Sequence, residues 1–435
     1  MTSTAMLTDQ YELTMLSASL RNGVAHQKAV FELFARKLPA GRRYGIVAGT
    51  GRAIEAVRNF RFTEEDLDWI EQNNIVNQET LDYLADYKFS GTISGYHEGD
   101  LYFPNSPVLT VEATFGEAVL LETVLLSIMN YDSAVASAAA RMVQAAEGIP
   151  LAELGARRMN EQAAVAASRA SYITGFKATS NLQAGKCYGI PTMGTSAHAF
   201  TLAHDTEVEA FQAQVDALGT DTTLLVDTYE IAQGIRNAVA VAGPELGAIR
   251  IDSGDLHEET LNARALLDSL GAVNTKIVLS SDIDEYTISE LVERKIPVDS
   301  IGAGTRVVTG SGHVTASMVY KLVSIEGSDG QMRPVEKKAS GKKSVGGRKW
   351  AYRTLDNQGH VQRERIVVND SSCYREGYRS SLGVRALQKF FIENGEVVFD
   401  PTLEEIRTFH RFAMAELRPL DRNILSGSPS VEALV

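Results

Sequence analysis

Five segments in the middle of the chain, PTMGTSAH, TLLVDTY, AIRIDSGD, KIVLSSDID and DSIGAGTR, each run from apolar residues into a polar loop. With Thr195, Asp227, Asp252, Asp282 and Gly304 as markers, the steps between them are 32, 25, 30 and 22 residues, the length of one strand plus one returning helix. The intervening stretches carry a helical pattern. In LNARALLDSLG, Ala263, Leu266, Leu267 and Leu270 fall at i, i+3, i+4 and i+7, and Gly271 follows as a stop signal. Parallel strands joined by helices put all five loops on the carboxyl edge, where barrels and open sheets carry their chemistry. The period therefore predicts an α/β fold whose single site gathers His198, Asp252, Asp255, Asp282 and Arg306.

A chain of 435 residues is too long for one ordinary core, so two or three domains are expected. A net charge of −13 argues against a general nucleic-acid or anionic-membrane surface, and any phosphate site must be a local concentration of positive charge. Cys187 and Cys373 stand alone, which excludes a disulfide framework and a CxxC metal site. Cys187 reads as a small buried residue. Residues 1–25 lack the basic start and apolar core of a leader, and no run approaches the roughly 18 apolar residues of a membrane span, so a cytoplasmic protein is expected.

Outside the repeat the pattern changes. LTDQYELTMLSASL has the signature of a capped amphipathic helix, residues 89–115 read as short strands with turns at Gly91, Gly95, Gly99 and Pro104, and the stretch from Gly116 to Ala146 reads as a long helix. After Val319 come strand, charged loop and strand, and then a helix in FDPTLEEIRTFHRFAMAEL. The expected organisation is an α+β domain over 1–130, a barrel-like catalytic domain over 131–320, and a segment 321–435 that packs back on the first.

Several residues could carry chemistry. IGAGTR is a glycine-bearing loop after an apolar strand, fit either to cradle a phosphate with backbone N–H groups or simply to make a tight turn. In RIDSGD, Arg250 can neutralise an anion through its planar fork, and Asp252 and Asp255 can hold a sugar diol or magnesium. Asp255 is better placed to cap the helix beginning near His257. His198 could be a base, a metal ligand, a nucleophile towards phosphate, or only a structural hydrogen-bonding residue; without an HxH or HxxxH partner it does not make a zinc site. The run Lys337, Lys338, Lys342, Lys343, Arg348 and Lys349 is either a solvated loop or a polyphosphate site in an otherwise acidic chain.

Taken together, TDQYELTM, FGEAVLLET, ELGARR, the stretch from TGFKATSN through GIPTMGTSAH, LLVDTY, RIDSGD, SSDID, GAGTR and the lysine loop resemble, in order and over most of the chain, the nicotinate phosphoribosyltransferase family of type II phosphoribosyltransferases. The resemblance implies an irregular (β/α) barrel, a second α+β domain built from both chain ends, and a head-to-tail homodimer with shared active sites. It also implies an ATP-dependent, ligase-type reaction of nicotinate with phosphoribosyl pyrophosphate in NAD salvage, with Mg2+ as cofactor and no metal ligands assigned. His198 matches the autophosphorylated histidine and, with Asp252, would be catalytic. Tyr11 matches the aromatic that reaches across the dimer to stack on the pyridine. Arg157 and Ser180 match positions around that ring, and relatives acting on nicotinamide carry Asp at the place of Ser180. Phe176, Thr195, Ser253 and Arg306 fall among the substrate-binding positions; Arg250 and Asp252 match contacts to base and ribose, and Gly304, Thr305 and Ser281-Asp282 the 5′-phosphate cradle. Where relatives often have EFG, this chain has Glu153-Leu154-Gly155, so one stacking face would be aliphatic.

Nicotinamide or quinolinate as substrate are the nearest alternatives. A barrel lyase would need a strand-end Schiff-base lysine, whereas Lys276 begins its strand. A noncatalytic binding protein would not need His198, Asp252, Asp282 and the basic loop together.

Overall fold

The computed structural model describes residues 3–337, 345–369 and 383–434. These residues form two compact units, Met1–Ser137 with His313–Val435, and Ala138–Gly312. The expected boundaries at 130 and 320 each cut a continuous element, the helix Glu122–Ala145 and a strand Met318–Glu326. The observed division falls within the same long helix, between Ser137 and Ala138, and before that strand, between Gly312 and His313.

The first unit opens with the helix Gln10–Arg21, whose Glu12 carboxylate accepts from the Asp9 N–H at 3.2 Å in a capping box. The strands β1 (Lys28–Ala35), β2 (Gly45–Ile46), β3 (Thr92–Tyr96), β4 (Leu101–Tyr102) and β5 (Leu109–Thr114) follow, with three short helices between β2 and β3. In KAVFELFA every residue after Lys28 is buried, as expected of a strand covered on both faces. Phe31, Ile93 and Val111 from the sheet share one apolar core with Ile54, Val57, Ile70 and Leu84 from the helices.

The helix Glu122–Ala145 carries the chain into the second unit. There β6 (Leu151–Glu153), β7 (Ala178–Thr179), β8 (Thr223–Leu225), β9 (Ala248–Ile251), β10 (Lys276–Ser281) and β11 (Ser300–Ala303) form a wholly parallel sheet in the order β7-β6-β11-β10-β9-β8. The sheet curls into a half-barrel, in line with the irregular barrel that the family resemblance implies. Helices Ile231–Ala242, Leu256–Ser269 and Glu285–Glu293 return the chain between successive strands from β8 to β11. One expected strand is absent: PTMGTSAH contributes only an isolated bridge from Thr192 to Thr179. A buried ion pair fixes the helix end, with Arg141 Nε 3.0 Å from Glu285 Oε1, whose other oxygen accepts from Ser311 at 2.7 Å.

Both chain ends build the first unit, as expected. Strands β12 (Met318–Glu326), β13 (Met332–Pro334), β14 (Lys349–Leu355), β15 (Val361–Val368), β16 (Val384–Ala386), β17 (Gln388–Glu393), β18 (Glu396–Val397) and β19 (Ala433–Leu434) come after the half-barrel. β12 pairs with β1, and β17 with β3, in a seven-stranded sheet. Arg353 on β14 is wholly buried among Asp100, Glu364 and Glu416 at 2.7, 3.0 and 3.3 Å. Arg385 joins them, 2.8 Å from Asp100 and 2.6 Å from Glu416. Burial alone would push the Asp100 carboxyl up, but Arg353 and Arg385 hold it well below the usual carboxylate range.

The basic run needs correction at its end. Arg348 and Lys349 are buried and pair with Glu112 and Glu32 at 3.0 and 2.6 Å, so their charges are spent inside the first unit. Lys337 is exposed, and Lys338, Lys342 and Lys343 lie outside the described residues.

Candidate active site

The carboxyl ends of the six parallel strands bring together residues from the loop after each strand. Arg250 stands on β9 with its guanidinium committed in three directions: Nε donates to Ser280 Oγ at 2.7 Å, Nη1 to Thr195 Oγ1 at 2.8 Å, and Nη2 lies 3.4 Å from Asp252 Oδ1. Ser280 Oγ in turn donates to Asp252 Oδ1 at 2.7 Å. Asp252 is thus held at the strand end with Oδ2 turned towards His198, whose Nε2 is 4.0 Å away. The other ring nitrogen of His198 meets Thr228 Oγ1 at 3.1 Å, so the imidazole is hydrogen-bonded on one side and faces the carboxylate on the other, with its side chain 41% exposed.

Behind this group sits Asp227, which the sequence marks only as a step in the repeat. Its Oδ2 accepts from the Asp252 N–H at 2.8 Å and from Ser253 Oγ at 2.6 Å, shaping the RIDSGD loop from below. Ser253 is therefore a loop-forming residue here. Asp255 is the helix cap, accepting from the His257 and Glu258 N–H groups, and these bonds hold its carboxyl below the ordinary value. Asp282 pairs with Arg306 at 3.1 Å.

Two cavities meet over this edge. One of about 350 Å³ is bounded largely by apolar atoms of Leu151, Leu154, Ala178, Met193, Val278 and Ile301, with Arg157, Lys177, Ser180, Thr195 and Arg250 among its polar members. The second, about 420 Å³, is lined by Arg158, Asp252, Ser281, Asp282, Gly304 and Thr305 among others. Leu154, Arg157, Arg250 and Gly302 line both. A Cβ on Gly302 would collide with Leu154 Cδ1, so the glycine lets that leucine lie flat on the sheet between the two spaces.

The loop after β6 is organised by Glu153, buried to 1% exposure. Its carboxylate accepts from Gly155 N–H, from Ser168 Oγ at 2.8 Å and from Thr179 Oγ1 at 2.7 Å. It thereby ties the Arg157–Arg158 turn to the loop carrying Ser180. Among the described residues no group of three His, Cys, Asp or Glu side chains could hold a metal by itself.

Two expectations fall elsewhere, those for Phe176 and Cys187, whereas Tyr11 is expected in the site of a second copy. Phe176 is wholly buried and lines neither cavity. Tyr11 belongs to the first unit, where burial and then Glu122 raise its phenol to about 12. Cys187 is exposed, not buried, because Leu182–Tyr188 buries only Ala184.

Comparison with known proteins gives one answer. The family described as nicotinate phosphoribosyltransferase (NAPRTase) N-terminal domain matches residues 6–130, and the nicotinate phosphoribosyltransferase (NAPRTase) family matches 149–364. Nicotinate phosphoribosyltransferase pncB1 of Mycobacterium tuberculosis is 55% identical over 369 residues, covering 83% of this chain and 80% of its own. The Bacillus subtilis nicotinate phosphoribosyltransferase is 39% identical over 82% of this chain and 74% of its own. The crystal structure of human nicotinic acid phosphoribosyltransferase superposes with a TM-score of 0.84 at 26% identity, covering 98% and 97% of the two chains. Among the described residues no helix is long and apolar enough to cross a membrane.

Proposed function

The chain belongs to the nicotinate phosphoribosyltransferase family, and from that premise we propose that it joins nicotinate to phosphoribosyl pyrophosphate, giving nicotinate mononucleotide and pyrophosphate in NAD salvage. The observation that carries this reading is the pair of cavities meeting at Leu154, Arg157, Arg250 and Gly302. The apolar space suits a flat aromatic ring, with Arg157 available to its carboxylate and Ser180 placing a neutral hydroxyl, not a repelling carboxylate, on the lining. The polar space suits the phosphorylated sugar, and the shared wall is where the ring nitrogen and ribose C1 meet.

As pyrophosphate leaves C1, positive charge builds on the ribose, and Asp252, fixed by Ser280 and Arg250, is placed to stabilise it. Holding the weak nitrogen nucleophile in line supplies most of the remaining advantage. Asp252 and Asp282, on one cavity wall, are the residues that would hold Mg2+ together with phosphate oxygens, and the ion would neutralise charge on the departing pyrophosphate. His198, tethered by Thr228 and facing Asp252, takes the γ-phosphoryl group of ATP with release of ADP, and water later cleaves the phosphohistidine to phosphate. The phosphorylated state favours phosphoribosyl pyrophosphate binding, which couples ATP to synthesis. The enzyme works in the cytoplasm as a homodimer, Tyr11 of one copy serving the site of the other.

The test is an assay of nicotinate, phosphoribosyl pyrophosphate and magnesium, with and without ATP and with nicotinamide in parallel. Mononucleotide from nicotinate, increased by ATP, is the expected result. Turnover of nicotinamide instead, or of neither base, overturns the assignment. A His198→Ala protein that still consumed ATP in step with product would remove the phosphohistidine from the scheme.

A further inference from the structure

The positive charges around the two cavities are not equivalent. Arg250 is engaged by Ser280, Thr195 and Asp252; Arg306, which lines neither cavity, pairs through Nε with Asp282; and Lys177 lines the apolar cavity alone. Arg157 and Arg158 are exposed and have no ion pair or side-chain hydrogen bond among the described residues. They sit side by side in the turn Ala156–Arg158, yet they differ in reach: Arg157 lines both cavities, and Arg158 only the polar one beside Ser281, Gly304 and Thr305.

The turn is held for this purpose. Gly155 donates its N–H to the buried Glu153, the Arg158 N–H donates to the Gly155 carbonyl at 2.8 Å, and a Cβ at Gly155 would collide with Val308 Cγ1. The arginine turn is therefore seated directly against the Thr305–Val308 segment. An unpaired guanidinium so placed has a geometry matched to a phosphate and no protein anion to spend it on.

We infer that Arg158 is a binding residue for the sugar phosphate: its guanidinium takes the 5′-phosphate of the ribose in the polar cavity, while Arg157 serves the junction with the aromatic ring. The inference rests on the proposed reaction for the identity of the sugar. Two neighbouring arginines thus read two different anions, and the apolar wall of Leu154 keeps them apart.

Ribose 5-phosphate binding by calorimetry to the full chain and its Arg158→Ala, Arg158→Lys and Arg157→Ala variants tests this, with folding checked by circular dichroism. Arg158→Ala should weaken ribose 5-phosphate at least tenfold and raise KM for phosphoribosyl pyrophosphate comparably, leaving KM for nicotinate within twofold. Arg158→Lys should recover part of the binding, since the charge is kept and the fork is lost. Arg157→Ala should shift KM for nicotinate more than ribose 5-phosphate binding. Unchanged ribose 5-phosphate binding in Arg158→Ala, equal losses for both substrates, or no binding to the unmutated chain overturns the inference. A protein that binds ribose 5-phosphate through Arg158 but turns over no base keeps this inference and rejects the proposed reaction.

Discussion

Arg353 and Arg250 each sit at the centre of a carboxylate and hydroxyl network, and the two networks are built to opposite ends. Arg353 is sealed from water, with three acidic partners, the Leu101 carbonyl and a second arginine completing the set. Arg250 keeps 15% of its side chain accessible, borders two cavities, and has uncommitted Arg157 and Arg158 as neighbours on their walls. The closed set answers every charge within the protein. In the open set, charge is left over for something that is not protein.

Breaking each centre should therefore give opposite phenotypes. Arg353→Met strands Asp100, Glu364 and Glu416 in the interior without a central cation, and the expected cost is about 3–5 kcal/mol, read as a large drop in unfolding temperature or loss of soluble protein. A variant that unfolds like the parent would show that the network can neutralise itself by taking up protons. Arg250→Met should leave the unfolding temperature within a few degrees and reduce kcat/KM for nicotinate by about 10²–10³. If that variant lost stability in proportion to activity, the open network would be structural too.

The smallest effect concerns pH. His410, buried beside Gly99 with its Nδ1 2.8 Å from that carbonyl, is lowered to about 4, chiefly by burial. The unfolded imidazole takes its proton near pH 6.5, before the folded one does. Stability is thus complete above pH 6.5 and is lost as pH falls towards 4, by up to about 3 kcal/mol. His410→Gln, which keeps a donor for Gly99, should flatten the acid limb of a plot of stability against pH; an unaltered limb would assign it to His97, which burial also lowers.

The half-barrel is legible in sequence wherever an apolar run ends in a polar loop at the spacing of one strand and one helix. β8 to β11 and their helices follow the spacing of Asp227, Asp252, Asp282 and Gly304, and the Asp255 cap follows from its place before His257. β6 and β7 do not show in sequence because neither LAE nor AT carries the apolar run that marks TLL of β8, a strand no longer than β6. Met193 and its neighbours imitate a strand end, but only Thr192 pairs. Arg348 and Lys349 looked like part of a phosphate loop since the glutamates that absorb them, Glu112 and Glu32, lie 236 and 317 positions away. Charge runs reveal local density, and burial is decided by partners that no window contains. Asp227 escaped notice for a related reason: it acts on the Asp252 N–H, and backbone donors leave no trace in composition.

The strand order also fixes a timetable. β11 lies between β6 and β10, so the last strand of the sheet to be synthesised occupies its middle. Until Ser300–Ala303 emerges, β6 with β7 on one side and β8 to β10 on the other are two fragments with bare inner edges, open to mispairing. Joining them closes a loop of about 150 residues, a slow kind of contact. The same insertion delivers Gly302 and Gly304 to the cavity walls. A nascent chain therefore has no substrate pocket to protect it during its most vulnerable interval, and ligands can steady this protein only after its sheet is whole.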